Sequence, residues 1–226
     1  MDALQLHADR SRPALAHAAN LPWLASSQPG VQRKMLERLG GEVAVASSIV
    51  RYAPRSRFTQ HTHALGEEFL VLSGTFSDEH GHYPTGSYVR NPPGSSHSPF
   101  SDEGCVIYVK LRQMALTQSR RVVMTADQMQ WATDRCGDGC QQALLYEDAL
   151  ETVSLVQLGA GCTIPARSVT GGEELLVLEG ALDMTGTGQA LKPWSWLRQP
   201  CTALPALYSA RGARLWVKRG HLHSQI

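Results

Sequence analysis

From residue 20 onward, short runs rich in Val, Ile, Phe, Tyr and Thr alternate with turn-forming residues about every eight to twelve positions. Val43–Tyr52, Glu68–Ser73, Tyr88–Asn91 and Cys105–Arg112 are the clearest runs. The punctuation between them is Ala53-Pro54, Gly66, Gly74, Gly81, Gly86, Pro92-Pro93-Gly94 and Gly104. Short strands at that spacing predict an all-β sandwich or small barrel. Helical signal is weak. It is confined to residues 12–20, read as a short N-terminal helix, and to a turn or two within Ala126–Thr133.

The same succession of blocks occurs twice. Gly66-Glu-Glu-Phe-Leu-Val-Leu-Ser-Gly74 returns as Gly172-Glu-Glu-Leu-Leu-Val-Leu-Glu-Gly180, at an offset of 106. Tyr88-Val-Arg-Asn-Pro92 returns as Trp196-Leu-Arg-Gln-Pro200 at 108, Tyr108-Val-Lys110 as Trp216-Val-Lys218, and Glu42 pairs with Glu151. Loop insertions shift an offset without changing block order, so the chain reads as two copies of one β domain. The expected division is an extension over 1–19, a first domain over 20–118, a connector over 119–129 and a second domain over 130–226.

Only the first copy carries a metal-ligand pattern. In His61-Thr-His63-Ala-Leu-Gly-Glu67, the two histidines project to one face of a strand, and the bend at Ala-Leu-Gly can bring Glu67 beside them. His97 follows the corner Asn91-Pro-Pro-Gly94. Three imidazoles and a carboxylate suit Zn, Fe(II), Mn or Ni. Glu68 falls on the opposite face by alternation. His80-Gly-His82 and His221-Leu-His223 share the spacing but are expected at the surface. Tyr52, Phe58 and Tyr108 are candidates for pocket walls or for core.

In the second copy, Arg167 stands where His61 was, Val169 where His63 was, and Pro205 or a neighbour where His97 was. Glu173 alone is retained, so this half is expected to hold no metal, with Arg167 and Glu173 paired in the vacated pocket. Arg90 with Arg198, and Lys110 with Lys218, occur in both halves and are therefore read as structural.

Net charge of +1 and the lack of any basic run argue against nucleic-acid binding. The charged N-terminus and the absence of a long apolar stretch give no sign of a signal peptide or membrane span. Five scattered cysteines suggest no disulfide framework and fit a cytoplasmic setting. Cys136-Gly-Asp-Gly-Cys140 has a spacing that fits neither a zinc knuckle nor a CxxC redox pair, and reads as linker. No Ser-His-Asp set, phosphate loop or dinucleotide fingerprint is present.

His61, His63, Glu67 and Gly74, followed by Gly86, Pro92, Gly94 and His97, resemble the two cupin motifs, although Ser101 stands where the second motif ends in Asn. The nearer resemblance is to the cupin domain of the ChrR anti-sigma factor. It lies in Trp23, Pro29-Gly-Val31, Lys34-x-Leu36, Arg51-Tyr-Ala-Pro54, the histidine motif, Gly81-x-Tyr-Pro-x-Gly86 and Arg90-Asn-Pro-Pro-Gly94. It implies tandem cupin (jelly-roll) domains and one zinc held by His61, His63, Glu67 and His97. ChrR itself begins with a helical zinc-binding domain built on His-x3-Cys-x2-Cys. This chain has no cysteine before Cys105, which counts against a sigma factor as partner.

Three functions are compatible with this reading. One is a metal-dependent enzyme, a dioxygenase or hydrolase, acting on a small molecule. Another is a ligand- or stress-responsive regulatory module acting through a protein partner. The third is a metal-binding scaffold that forms a homodimer through its sheet edges.

Overall fold

The computed structural model describes residues 4–41, 43–133 and 139–223. Among them every strand pairing is antiparallel and the only helical segments are single 3-10 turns at Ala18–Asn20, Ala126–Gln128 and His221–His223. No helix among the described residues is long and apolar enough to cross a membrane. The chain forms two compact units. The first holds the described residues up to Ala8 together with Leu21–Gln128, and the second holds Asp9–Asn20 with the described residues from Met129 onward.

In the first unit, the main sheet runs Gln5–Leu6, Val31–Gly40, Ala44–Tyr52, Cys105–Leu111, Glu67–Asp78, Tyr88–Asn91, Val122–Met124. Four of these are the runs expected from sequence, within a few residues at their ends. Alternation divides each strand between two faces. Phe69, Val71, Val89, Cys105, Ile107 and Val109 turn inward to form one core cluster with Tyr52, Phe76 and Tyr83. The opposite face is buried too, but polar: Glu68 accepts hydrogen bonds from Tyr88 (2.7 Å) and Arg90 (2.9 Å), and Lys110 donates to Ser47 (2.8 Å). In the second unit, Trp196 donates to Glu174 (2.6 Å) and Lys218 pairs with Glu151 (3.1 Å). Arg90, Arg198, Lys110 and Lys218 are all buried on this face, in keeping with structural roles.

The N-terminal segment departs from expectation. Ala14–His17 is a strand, not a helix, and it pairs with Ser195–Arg198 in the second unit. The high helix propensity of its alanines yields to tertiary pairing. Ala14 and Ala16 are buried on one side, while Leu15 packs on the second core on the other. The connector behaves in the same way. Val122–Met124 pairs with Tyr88–Arg90 of the first unit, and Ala126–Gln128 repeats the 3-10 turn of Ala18–Asn20 at the offset of 108. Thus each unit's last strand is supplied by the segment that precedes the other unit's main body. The segments read from sequence as extension and connector are sheet edges.

The second unit keeps the strand order, ending Ala213–Arg219, Glu173–Gly180, Ser195–Gln199, Ala14–His17. Its interior is filled by Leu, Val, Ile and Met, including Leu175, Val177, Met184, Leu191, Leu204 and Leu215. The retained carboxylate Glu173 is buried beneath them and paired with Arg167, as expected. Nε of Arg167 lies 3.1 Å from Oε2, and its Nη2 bonds Oε1. A second guanidinium, Arg219, reaches Oε2 at 2.6 Å. Burial alone would raise the Glu173 pKa, but Arg167 and Arg219 overcome it and hold the carboxyl below its usual range.

Two measurements test this arrangement. Leu15→Ala should cost about 2 kcal/mol, the low end for a leucine truncation because the side chain is only partly buried. Hydrogen exchange should accelerate at Ser195–Gln199; a change confined to residues 14–17 would show a peripheral strand. Glu173→Gln should cost about 3 kcal/mol by leaving two guanidinium groups without their carboxylate. Because folding depresses this pKa, its contribution is fully present above the ordinary carboxylate value near 4.5 and is lost as pH falls through the lower folded value. Wild-type stability should therefore drop on acidification below that value more steeply than that of the Gln variant, as read by urea melts across pH.

Candidate metal centre

His61–His63 forms a short strand paired with Ser95–His97, in a register that sets His97 opposite His61 and Ser95 opposite His63. The i, i+2 spacing puts both histidines of the first strand on one face, and the antiparallel partner adds the third. Two turns make this possible. Gly94 takes φ +83° after the two prolines, and its N–H bonds the His63 carbonyl at 2.9 Å. Gly66 takes φ +74°, where a Cβ would strike Met114, and starts the strand that opens with Glu67.

The donor nitrogens of His61, His63 and His97 lie within 4.8 Å of one another. Nε2 of His63 and Nε2 of His97 are 2.9 Å apart, and Glu67 Oε2 is 3.4 Å from each. Ligands about 2.0–2.1 Å from one cation sit about 2.9 Å apart at a right angle and about 3.3–3.4 Å apart at the tetrahedral angle, so the His63, His97 and Glu67 spacings are of the size that a shared metal ion requires. His61 Nδ1 donates to the Thr59 carbonyl (3.1 Å), which leaves its Nε2 available as a ligand. Burial, seconded by the neighbouring His97 and His61 against the pull of Glu67, lowers the His63 pKa and favours the neutral imidazole. Burial acts the same way on His97, but Asp78 and Glu67 outweigh it and raise that pKa.

Behind these groups lies a scaffold of buried Asp78, Tyr83 and Asn91, with the exposed Arg121 at its edge. Asp78 Oδ2 faces His97 Nδ1 at 3.1 Å, and Asp78 Oδ1 accepts from the Tyr83 hydroxyl (2.9 Å) and the His80 amide (2.8 Å). Asn91 Nδ2 donates to Glu67 Oε2 at 3.2 Å. Arg121 joins the two arms: Nη2 donates to the Tyr83 hydroxyl (3.0 Å) and Nε approaches Asn91 Oδ1 (3.4 Å). Carboxylate contacts of this kind fix the tautomer and ring orientation of a ligating histidine. Burial, then the bond to Asp78, push the Tyr83 hydroxyl up to about 12, so it remains a donor.

Sequence gives no site role to Asp78, Tyr83, Asn91 or Arg121, although Tyr83 and Asn91 lie in the motifs that carry the family resemblance. The repeat contained the signal. At the offsets of 106 and 108, Asp78 becomes Met184, Tyr83 becomes Leu191 and Arg121 becomes Pro13. The bridge between Arg167 and Leu204 sets Leu204 in the place of His97. The support is thus lost in the same copy as the ligands.

The other sequence candidates separate from the site. Glu68 bonds Arg90 and Tyr88 on the far face. His80 and His82 are exposed, as expected. His221 is a correction: it is buried, with Nε2 3.0 Å from Glu174, because the chain's last turn folds that ring onto a carboxylate. Cys136 lies outside the described residues. Cys140 is buried in the second core.

His61, His63 and Glu67 also line a cavity of about 390 Å³ inside the first unit. Its walls are Val31, Val50, Ile107, Val109, Leu111 and Phe58, with Tyr52 beside Glu67 and the charged groups Arg33, Arg38 and Arg112. Tyr108 is buried but is not part of this lining, and so belongs to core. Burial, with Glu67 and Cys105 nearby, raises the Tyr52 pKa well above its usual value, so the phenol keeps its proton.

Residues 11–115 match the ChrR cupin-like domain family. No curated protein matches the chain. Among solved structures, a candidate dioxygenase from Nostoc punctiforme superposes with a TM-score of 0.75 at 15% identity, covering 95% of this chain and 85% of that one. Protein Ylba from E. coli gives 0.72 at 14% identity, over 100% and 97% of the chains. A mutant salicylate 1,2-dioxygenase from Pseudoaminobacter salicylatoxidans, in complex with gentisate, gives 0.67 at 13%, over 99% and 85%. At such identities these likenesses speak for the fold alone. The chain has the fold of a tandem cupin, and its residues 11–115 match the ChrR cupin-like domain family.

Proposed function

We propose that the first unit is a metal-dependent enzyme site of dioxygenase type. It would hold one divalent cation, zinc or Fe(II), through His61, His63, Glu67 and His97, and act on a small molecule in the adjoining cavity. The observation that carries this reading is that the ligand group opens onto the cavity: His61, His63 and Glu67 line it rather than being sealed behind core. A purely structural metal site has no need of such a chamber. At about 390 Å³ the chamber lies toward the small end of ligand pockets.

A divalent cation there supplies a Lewis acid that polarises a carbonyl, enolate or water oxygen. The chain's own groups do the remainder. Asp78 holds His97 with Nε2 turned to the centre, and Asn91 holds the Glu67 carboxylate. Val50, Ile107, Val109 and Phe58 give the cavity an apolar wall, against which charge interactions are stronger than in open water, while His61 stays at the exposed mouth. Tyr52, kept protonated, can donate a hydrogen bond to oxygen that gains charge during reaction.

Metal analysis of protein purified without added metal should give about one equivalent per chain, lost in His97→Ala. Two equivalents, or metal retained in the variant, would overturn the ligand set. Asp78→Asn should weaken metal affinity by about 10–100-fold, and Arg121→Ala should weaken it in the same direction. Glu68→Gln should change stability but leave metal affinity intact. Loaded with Fe(II), the protein should consume oxygen in the presence of a small β-diketone or hydroxyaromatic substrate, and the His97→Ala variant should not. Full metal content with neither oxygen uptake nor hydrolysis would leave the site a binding site and defeat the enzymatic reading.

A further inference from the structure

The cavity beside the metal centre is unevenly charged. Among its described lining residues, three are arginines and one, Glu67, is a carboxylate already committed to the ligand group. Two of the arginines arrive by an irregularity. Residues 33 and 38 have opposite parity along Val31–Gly40 and would normally face opposite sides. A bulge between Met35 and Glu37 shifts the register, so Arg33 lies opposite Val50 and Arg38 opposite Ala46, on one face. Arg38 bonds the Gly41 carbonyl and is nearly closed off from solvent.

Arg112 is the telling residue. It follows the strand that ends at Leu111, and its backbone is left-handed, with φ +59°. At the offset of 108 the second unit has Gly220 there, with φ +89°. The two make the same backbone bond, Arg112 N to Gly66 O (2.9 Å) and Gly220 N to Gly172 O (3.0 Å). Glycine takes this conformation without penalty, whereas a side chain costs about 1 kcal/mol or more. Strain by itself is no pointer, since Arg55 also stands where the second unit has glycine, Gly161, and is exposed. Arg112 differs in that it lines the cavity, and it does so in the half that has kept the candidate metal ligands.

We infer that the cavity takes a small carboxylate-bearing molecule with an apolar body. Arg112, with the positive lining of Arg33, faces the carboxylate, and the Val31, Val50, Ile107 and Val109 wall packs the rest. A planar guanidinium presents a fork that matches a carboxylate, which a neutral amide cannot reproduce. This assignment deepens the proposed function, since it rests on the cavity being the substrate chamber of that metal site.

The test is calorimetric titration of benzoate and of benzamide into metal-loaded and metal-stripped protein, wild type and Arg112→Gly, with metal content measured on each sample. Glycine is the residue that the second unit tolerates at this turn, so the variant relieves strain and should fold. Benzoate should bind wild type at least about tenfold more tightly than benzamide, and Arg112→Gly should remove that preference while metal content stays the same. Equal affinities, no benzoate binding, or an unaltered preference in the variant would each overturn the inference. The two readings fail separately. No carboxylate preference with metal in place sinks the anion assignment alone. A preference intact in protein that takes up no metal sinks the metal reading and leaves the anion pocket standing.

Discussion

A carboxylate at the head of the same strand is buried in both barrels, and everything around it follows from the need to offset its charge. Glu67 is 6% exposed and Glu173 is 2% exposed. An ionised carboxylate removed from water without a countercharge would cost several kcal/mol. The second barrel answers with covalently fixed cations: Arg167 and Arg219 bracket Glu173. The first has imidazoles and an amide instead. Its groups within reach of Glu67 are His63, His97 and the Asn91 amide. An imidazole cluster around one carboxylate supplies less fixed positive charge than two guanidiniums, and a divalent cation held by His61, His63 and His97 would make up the difference. The two barrels surround the same buried carboxylate differently, one with two guanidiniums and the other with a histidine cluster that could hold a metal ion.

The exchange of edge strands bears on the same site. Arg121 enters the first unit only because Val122–Met124 is the last strand of its sheet, paired with Tyr88–Arg90. That strand lies in the stretch leading into the second repeat. The support for His97 and Glu67 is therefore assembled from residues 67 to 121, well beyond the motif that names the ligands. In the second unit the corresponding strand, Ala14–His17, is preceded by Pro13, which has no side-chain donor to offer. A domain cut at residue 118 would retain every ligand and lose the residue that ties their scaffold together.

Much of this was legible from sequence because it rests on short-range rules. Strand runs at Tyr88–Asn91 and Cys105–Leu111, the same-face placement of His61 and His63, and the opposite-face placement of Glu68 all follow from a period of two. The repeat exposed Arg167 as the partner of Glu173, because deleted ligands leave a charge to be satisfied. What escaped detection depends on pairing between distant segments. Ala14–His17 has helical composition and becomes a strand only because Ser195–Arg198 offers it an edge. His221 has the composition of an exposed tail and is buried only because a turn carries it to Glu174. Asp78 and Tyr83 resemble ordinary hairpin residues until the fold sets His97 across from them.

The contrast between the copies also separates what the fold requires from what the chemistry requires. Glu68 and Glu174, Arg90 and Arg198, and Lys110 and Lys218 are retained and buried in both, so they answer to packing. His61, His63, Asp78, Tyr83, His97, Arg112 and Arg121 are each replaced in the second barrel, by Arg, Val, Met, Leu, Leu, Gly and Pro respectively. Three of the seven are candidate ligands, Asp78 holds one of them, and Tyr83 and Arg121 brace the groups behind. The seventh, Arg112, lines the cavity beside them and is replaced along with them, by the residue that its left-handed backbone favours. Crowding accounts for the glycine of the second barrel, where a Cβ at Gly220 would lie 2.6 Å from the Leu150 carbonyl oxygen. What sets Arg112 apart from Arg55, which has a left-handed backbone too but is exposed, is its place in the cavity lining of the half that carries the histidines.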